Sequence, residues 1–173
     1  HHGTPSGVDN TVIAFERPVY FVRREPEPLI ETFVTAQPLR LVIGDTGIRS
    51  ATKDVVGDVR RQWSADAERF ETIFDACGRI AVAGREALAA GDLPTVGALM
   101  NENHEWLARM TVSSDALDHL VAAARGAGAL GAKLSGAGRG GNMIALVTAE
   151  TEAVVAEQLL AAGAARIFTS DVG

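Results

Sequence analysis

The tightest constraint on this chain lies between residues 130 and 147, where two apolar runs flank a loop built largely of glycine. Leu130–Leu134 and Met143–Val147 read as two strands, and between them runs Ser135-Gly136-Ala137-Gly138-Arg139-Gly140-Gly141-Asn142. Glycine has no Cβ, so four glycines in six residues (Gly136, Gly138, Gly140, Gly141) leave the backbone free to take positive φ and to approach a neighbour closely. Successive N–H groups in such a turn form an anion-binding concavity. The loop is not a P-loop, because Gly-x-x-x-x-Gly-Lys-Ser/Thr is absent, and a strand rather than a helix follows it. That same strand rules out the dinucleotide fingerprint. Glycine content alone leaves two readings open: a hairpin without a ligand, and a loop that faces phosphate.

The rest of the chain supplies a sheet and its cover. Val19, Phe21 and Val22 suggest a short strand, and Glu25-Pro26-Glu27-Pro28 a solvated turn. Leu39–Ile43 reads as a buried strand closed by Gly44-Asp45-Thr46-Gly47. Three or four helices follow. Apolar residues recur at helical spacing from Thr52 to about Ala90, and Gly91-Asp92-Leu93-Pro94 stops one helix and starts the next. Val96, Leu99, Met100, Leu107 and Met110 mark a further helix. Ser113-Ser114-Asp115 opens another, which carries Leu117, Leu120, Val121 and Ala124 and ends at Gly126. After the glycine hairpin come an amphipathic helix, Glu150–Ala162, and a last strand, Ala165–Thr169. The order strand, helices, strand, strand, helix, strand predicts an α+β fold: an antiparallel sheet with helices on one face, in ferredoxin-like βαββαβ order with extra helices.

Composition narrows the function classes. Of 173 residues, 47% are hydrophobic and 22% charged, the balance of a folded globular chain. A net charge of −6 provides no basic excess to neutralise a nucleic-acid backbone, so no nucleic-acid partner is expected. Arg60-Arg61 lies on a mixed-charge helical stretch and reads as a solvated face. Cys77 is the single cysteine, in phase with Phe70, Ile73, Phe74 and Ile80, and reads as a core thiol in a reducing compartment. His1, His2, His104 and His119 have no metal-ligand spacing, and no metal-ligating residue is assigned. No apolar run reaches the ~18 residues of a membrane span, and no signal peptide is recognisable. The expectation is a cytoplasmic protein with no membrane partner.

A second motif opens the chain: His2-Gly3-Thr4-Pro5-Ser6-Gly7-Val8-Asp9-Asn10. It reads as a loop running into a helix start, with Val12, Ile13 and Phe15 following. Asp9, just after Pro-Ser-Gly, has two open readings. It caps a helix, as most such aspartates do, or it accepts or orients the proton of a substrate hydroxyl. Gly7 leaves room for a substrate, and Ser6 offers a hydrogen bond.

Taken together the two motifs resemble those of the GHMP kinases, and among them the mevalonate kinase family. That family carries His-Gly-x-Pro-Ser-Gly-x-Asp-Asn, matched by His2, Gly3, Pro5, Ser6, Gly7, Asp9 and Asn10. Its Lys-Leu-Ser/Thr-Gly-Ala-Gly-x-Gly-Gly loop is matched from Lys133 to Gly141, and its Thr-Lys/Arg-x-x-Val segment by Thr52-Lys53-Asp54-Val55-Val56. The segment Leu99-Met100-Asn101-Glu102-Asn103-His104 is also similar. The resemblance implies a GHMP-kinase-like carboxy-terminal domain over 37–173, preceded over 1–36 by the tail of the amino-terminal domain. It implies transfer of the γ-phosphoryl group of ATP to mevalonate with Mg²⁺ as second cofactor, in a chain that forms a homodimer when intact. By the same resemblance, Asp9 would be the catalytic carboxylate, and His2, Ser6, Gly7 and Thr52 would meet the substrate. Ser135, Gly136, Ala137, Gly138, Gly140 and Gly141 would border the phosphates. Arg139 stands where many GHMP kinases have glycine; contact with a phosphate and exposure to solvent are both open.

The family's main nucleotide loop, Pro-x-x-x-Gly-Leu-Gly-Ser-Ser-Ala, does not occur among the 173 residues. The expectation is that the chain corresponds to roughly the carboxy-terminal half of such an enzyme and is inactive alone. The rival readings are another GHMP small-molecule kinase, a decarboxylase relative of the same pathway, and a non-catalytic GHMP carboxy-terminal module.

Overall fold

The computed structural model describes residues 18–172. The opening motif, with His2, Ser6, Gly7 and Asp9 and the helix start assigned to it, lies outside the described residues.

Two strands, β1 (Val19–Val22) and β2 (Leu29–Thr32), pair antiparallel across the Glu25-Pro26-Glu27-Pro28 turn and form a sheet of their own. The sequence pattern showed β1 but not β2, whose Leu-Ile-Glu-Thr run is too short and too mixed to alternate. The main sheet begins with β3 (Leu39–Asp45), which runs two residues further than its apolar run, through Gly44 and Asp45. Helices α1 (Thr52–Ala65), α2 (Ala67–Ala90), α3 (Leu93–Arg109) and α4 (Asp115–Gly126) follow. The periodic stretch from Thr52 to Ala90 is therefore two helices. They part at Asp66, whose φ of −146° leaves the helical region while its side chain accepts a hydrogen bond from Arg69 N–H and caps α2. Gly91, at φ 73°, ends α2; Asp92 caps α3, with Pro94 in its first turn; Ser114 caps α4.

The hairpin then forms from β4 (Gly131–Ser135) and β5 (Asn142–Val147), followed by α5 (Glu152–Ala161) and β6 (Arg166–Val172). The strand order is β4-β5-β3-β6 and every pairing is antiparallel. That is the split βαββαβ arrangement expected from the element order. On one face, Val42, Ala132, Leu134, Met143, Ala145 and Val147 pack on Leu117, Leu120, Val121 and Ala124 of α4 and on Val155 and Leu159 of α5. Burying a leucine fully is worth about 1.5–3 kcal/mol, and Leu117, Leu134 and Leu159 are all buried here. The other face is covered at one end only. There Leu39, Leu41 and Leu146 meet Ala87 and Leu88 of α2 and Val96 and Met100 of α3. Towards β6 no described helix covers this face, and Phe168, paired with Ile43, is 50% exposed.

Strand β4 is an edge, and unpaired edge groups invite aggregation unless something covers them. Here α3 and α4 cover them with side chains. Ala132 N–H donates to Asn101 Oδ1 at 2.9 Å and Leu134 N–H to His104 Nδ1 at 3.3 Å, from residues three apart on α3. The outward carbonyls accept in turn: Ala132 O from Arg125 Nη2 at 3.3 Å and Leu134 O from Lys133 Nζ at 2.8 Å. Helix and strand lie backbone to backbone, since a Cβ on Gly97 would fall 2.3 Å from Leu130 O and one on Gly131 would fall 2.1 Å from Gly97 O. This clamp fixes the strand that delivers the glycine loop.

Candidate functional site

At the end of the sheet, the loop from Ser135 to Asn142 closes over the turn after β3 and the start of α1. Between them lies a cleft of about 520 Å³. Of the residues singled out from the sequence, Thr52, Ser135, Gly136, Ala137, Gly138, Gly140 and Gly141 all line it. The structure thus brings together two segments more than eighty residues apart, while His2, Ser6, Gly7 and Asp9 lie outside the described residues.

The loop is held by its backbone. Gly136, Gly138, Arg139, Gly140 and Gly141 all have positive φ, at 92°, 87°, 57°, 144° and 73°. Two amides are tied inward, Arg139 N–H to Val112 O and Gly141 N–H to Ile48 O, each at 2.8 Å. Thr46 donates to Gly141 O from both its amide and its hydroxyl, at 2.9 Å each, and Ser50 Oγ donates to Gly138 O at 2.6 Å. The amides of Gly136, Ala137, Gly138 and Gly140 have no hydrogen-bond partner among the described residues. Four unpartnered N–H groups in a positive-φ turn make the concavity that binds anions.

The glycines divide into two kinds. A Cβ on Gly138 would fall 1.9 Å from Val112 O and one on Gly140 would fall 2.6 Å from Ile48 O, so these two allow close backbone packing. Gly136 and Gly141 would have nothing within 4 Å of a Cβ and face open space. The sequence pattern could not separate the two kinds, because the surfaces they meet come from distant segments.

The opposite wall is the start of α1. Its N-cap, Ala51, makes no side-chain cap bond, and Thr52 brings the positive end of the helix dipole to the cleft, while Asp54 adds a carboxylate to the same first turn with its own N–H bonded to Ala51 O at 2.9 Å. Asp45, Arg49, Ser50, Asn142 and Arg166 also line the cleft and were not singled out from the sequence. The register Asp45↔Asn142 and Asp45↔Arg166 puts those three there, and pairing of that range is not legible in one sequence; Arg49 and Ser50 come from the loop between β3 and α1. Asp45 is buried. The Gly47 N–H at 2.8 Å, and then the Arg166 guanidinium with Nη2 at 2.6 Å, hold its carboxyl below the ordinary aspartate value. Arg166 thereby neutralises the carboxylate, and Arg49 has no ion-pair partner among the described residues. The cleft is positive and rich in N–H donors.

Arg139 does not point into the cleft. Its guanidinium pairs with Asp58 of α1, and its Nε donates to Thr111 O at 3.0 Å. Cys77 is half-buried rather than sealed in the core; burial raises its thiol pKa, and Asn103 Nδ2 approaches Sγ at 3.6 Å. Among the described residues, no three His, Cys, Asp or Glu side chains converge as a metal site, and no helix is long and apolar enough to cross a membrane.

Residues 85–165 match the family profile described as GHMP kinases C terminal. A mevalonate kinase from Thermococcus sibiricus is 37% identical over 96% of this chain and 50% of its own length. One from Pyrococcus horikoshii is 37% identical over 93% of this chain and 48% of its own. The crystal structure of L. major mevalonate kinase in complex with R-mevalonate superposes with a TM-score of 0.92 at 36% identity, over 99% of this chain and 54% of that one. The chain thus spans about half the length of the curated relatives it matches.

Proposed function

Since this chain carries the carboxy-terminal domain of the GHMP kinases, we propose that it is the phosphate-facing half of a mevalonate kinase, which phosphorylates mevalonate at the expense of ATP. The observation that carries this reading is the cleft that four residues with unpartnered loop amides share with Arg49 and the start of α1. ATP when bound supplies the γ-phosphoryl group; everything else is asked of the residues.

The amides of Gly136, Ala137, Gly138 and Gly140 are placed to donate to phosphate oxygens, fixed in advance by the bonds at Arg139 and Gly141. Donors held before the reaction stabilise developing charge without reorganising, which is where phosphoryl-transfer enzymes gain most of their rate. Arg49 and the first turn of α1 add positive potential, and the Thr52 and Ser135 hydroxyls line the same cleft. Asp9, with His2, Ser6 and Gly7, is proposed to meet the acceptor: its carboxylate orients the mevalonate hydroxyl and takes its proton. These roles rest on the motif match and on the substrate named for the L. major structure. A requirement for Mg²⁺ belongs to the same proposal. The described residues offer it no ligand cluster. The division into 1–36 and 37–173 is proposed likewise, supported by β1 and β2 forming a sheet separate from the one that begins at Leu39.

The test is ATP-dependent phosphorylation of mevalonate by the 173-residue chain and by a form extended upstream to the length of the relatives. Activity in the extended form that Asp9→Asn abolishes supports the reading. No transfer to mevalonate in the extended form, with the fold intact, removes it.

A further inference from the structure

Arg139 sits where glycine would be the easiest residue. It and Thr111 are the only non-glycine residues with positive φ among those described, at 57° and 67°, and they are bonded to each other. Arg139 N–H donates to Val112 O at 2.8 Å, its Nε to Thr111 O at 3.0 Å, and its Nη2 to Thr111 Oγ1 at 3.3 Å. The guanidinium then reaches Asp58 on α1, and Gln62 Nε2 joins Asp58 Oδ2 at 3.1 Å to Thr111 Oγ1 at 2.8 Å. Two residues in a disfavoured conformation persist only when their surroundings over-determine them, and such residues cluster at functional sites. Asp58 is held ionised by the same contact, since the Arg139 hydrogen bond is the main cause that lowers its pKa.

The position of Asp58 gives the network its consequence. Helix α1 begins at Thr52, in one wall of the cleft, and Asp58 lies just under two turns further along the same helix. Arg139 lies in the middle of the glycine loop, in the other wall, with its side chain directed away from the cleft. Among the described residues, the Arg139–Asp58 pair is the only ion pair that joins loop to helix.

We propose that Arg139 is a positioning residue for the nucleotide: its latch to Asp58 and Thr111 sets the spacing between the loop amides and the start of α1, and so the geometry offered to the phosphates. This rests on the phosphate-facing reading of the cleft. A loop without the latch must be ordered when the nucleotide binds. That ordering weakens binding of the ground state and the transition state alike, so it raises KM and leaves kcat nearly unchanged.

Arg139→Gly suits a φ of 57° and preserves the fold while removing the latch. Asp58→Asn removes it from the other side, and Arg139→Lys keeps the charge without the forked geometry. Hydrogen exchange of the Arg139 and Gly141 amides, both bonded in the structure, is read on the 173-residue chain, and KM and kcat on the extended form. Exchange at these two amides is expected to rise about tenfold in Arg139→Gly and Asp58→Asn, with no further rise in the double variant, because coupled residues are non-additive. KM for ATP is expected to rise about fivefold with kcat within twofold and KM for mevalonate unchanged, and Arg139→Lys to recover part of the loss. Unchanged exchange in both single variants overturns the latch, as does faster exchange with an unaltered KM for ATP. If the unsubstituted extended form transfers nothing to mevalonate, the proposed function fails on its own account, and the latch is judged by the exchange rates.

Discussion

Gly136 and Gly138 form a natural pair of controls. Both have strongly positive φ, 92° and 87°, so an alanine at either position meets the same backbone penalty, about 1–2 kcal/mol for an L-residue in that region. They differ in what the new methyl group meets. At Gly136 it enters open space in the cleft; at Gly138 it lands 1.9 Å from Val112 O. The second contact cannot stand, so the Val112 carbonyl must move, and its 2.8 Å bond from Arg139 N–H is strained or lost. A buried bond left unmade adds about 1–3 kcal/mol. Gly138→Ala should therefore be less stable than Gly136→Ala by about 2 kcal/mol, or ~4–8 °C in Tm for a chain of this size. Urea and thermal unfolding measure that difference. Nucleotide affinity should rank the other way at a temperature where both are folded. Gly136→Ala puts a methyl group into the open space of the cleft and should weaken ATP binding at least tenfold, about 1.4 kcal/mol. Equal stabilities, or a Gly138→Ala variant that is stable yet binds no nucleotide, would refute the division of the loop into packed and open glycines.

Three further outcomes test other parts of the structure. Asn101→Leu removes the acceptor for the buried Ala132 N–H and should lower stability by about 1–3 kcal/mol in urea unfolding, whereas Asn101→Asp keeps an oxygen there and should lose less. Burial is the main cause that depresses the His104 pKa, so the unfolded chain takes up its proton first; the stability gained from neutral His104 should be complete above its ordinary pKa of about 6.5 and decline as pH falls below it. Unfolding midpoints at pH 7.5 and 5.5 measure this, and a His104→Gln variant should show a shallower decline. In the extended form, Asp9→Asn should lower kcat by at least ~10²-fold with folding little changed, and near-normal turnover would leave Asp9 a helix cap.

How far the sequence could be read depended on the range of the interactions that each feature needed. Caps are local. Ser114 was recognisable as the start of α4 because its partner, Leu117 N–H, is three residues away. The order of strands and helices followed from periodicity, and in an antiparallel sheet that order restricts the topology to few choices. The break at Asp66 escaped notice because apolar spacing continues across it on both sides. The motif at Asn101 and His104 stood out as a resemblance without a reason. The structure provides the reason: both side chains accept hydrogen bonds from the free edge of β4, thirty-one and thirty residues further on.

The candidate site divides along the same line. The loop glycines were legible as residues suited to phosphate and Thr52 through the family resemblance, but Asp45, Asn142 and Arg166 became part of the site only through the register of β3 with β5 and β6. Glycine content suggested one uniform loop, yet its members answer to different neighbours. Gly138 and Gly140 accommodate the backbones of Val112 and Ile48, while Gly136 and Gly141 leave the approach open. The clamp on β4 and the packed glycines therefore act in series. Asn101, His104 and Gly97 fix the strand, the strand fixes Ser135, and the contacts at Val112 and Ile48 hold the turn with its free amides outward. A rigid donor array requires each of these contacts, which explains why so much of the hydrogen bonding at this end of the sheet comes from side chains and turns rather than from the ladder.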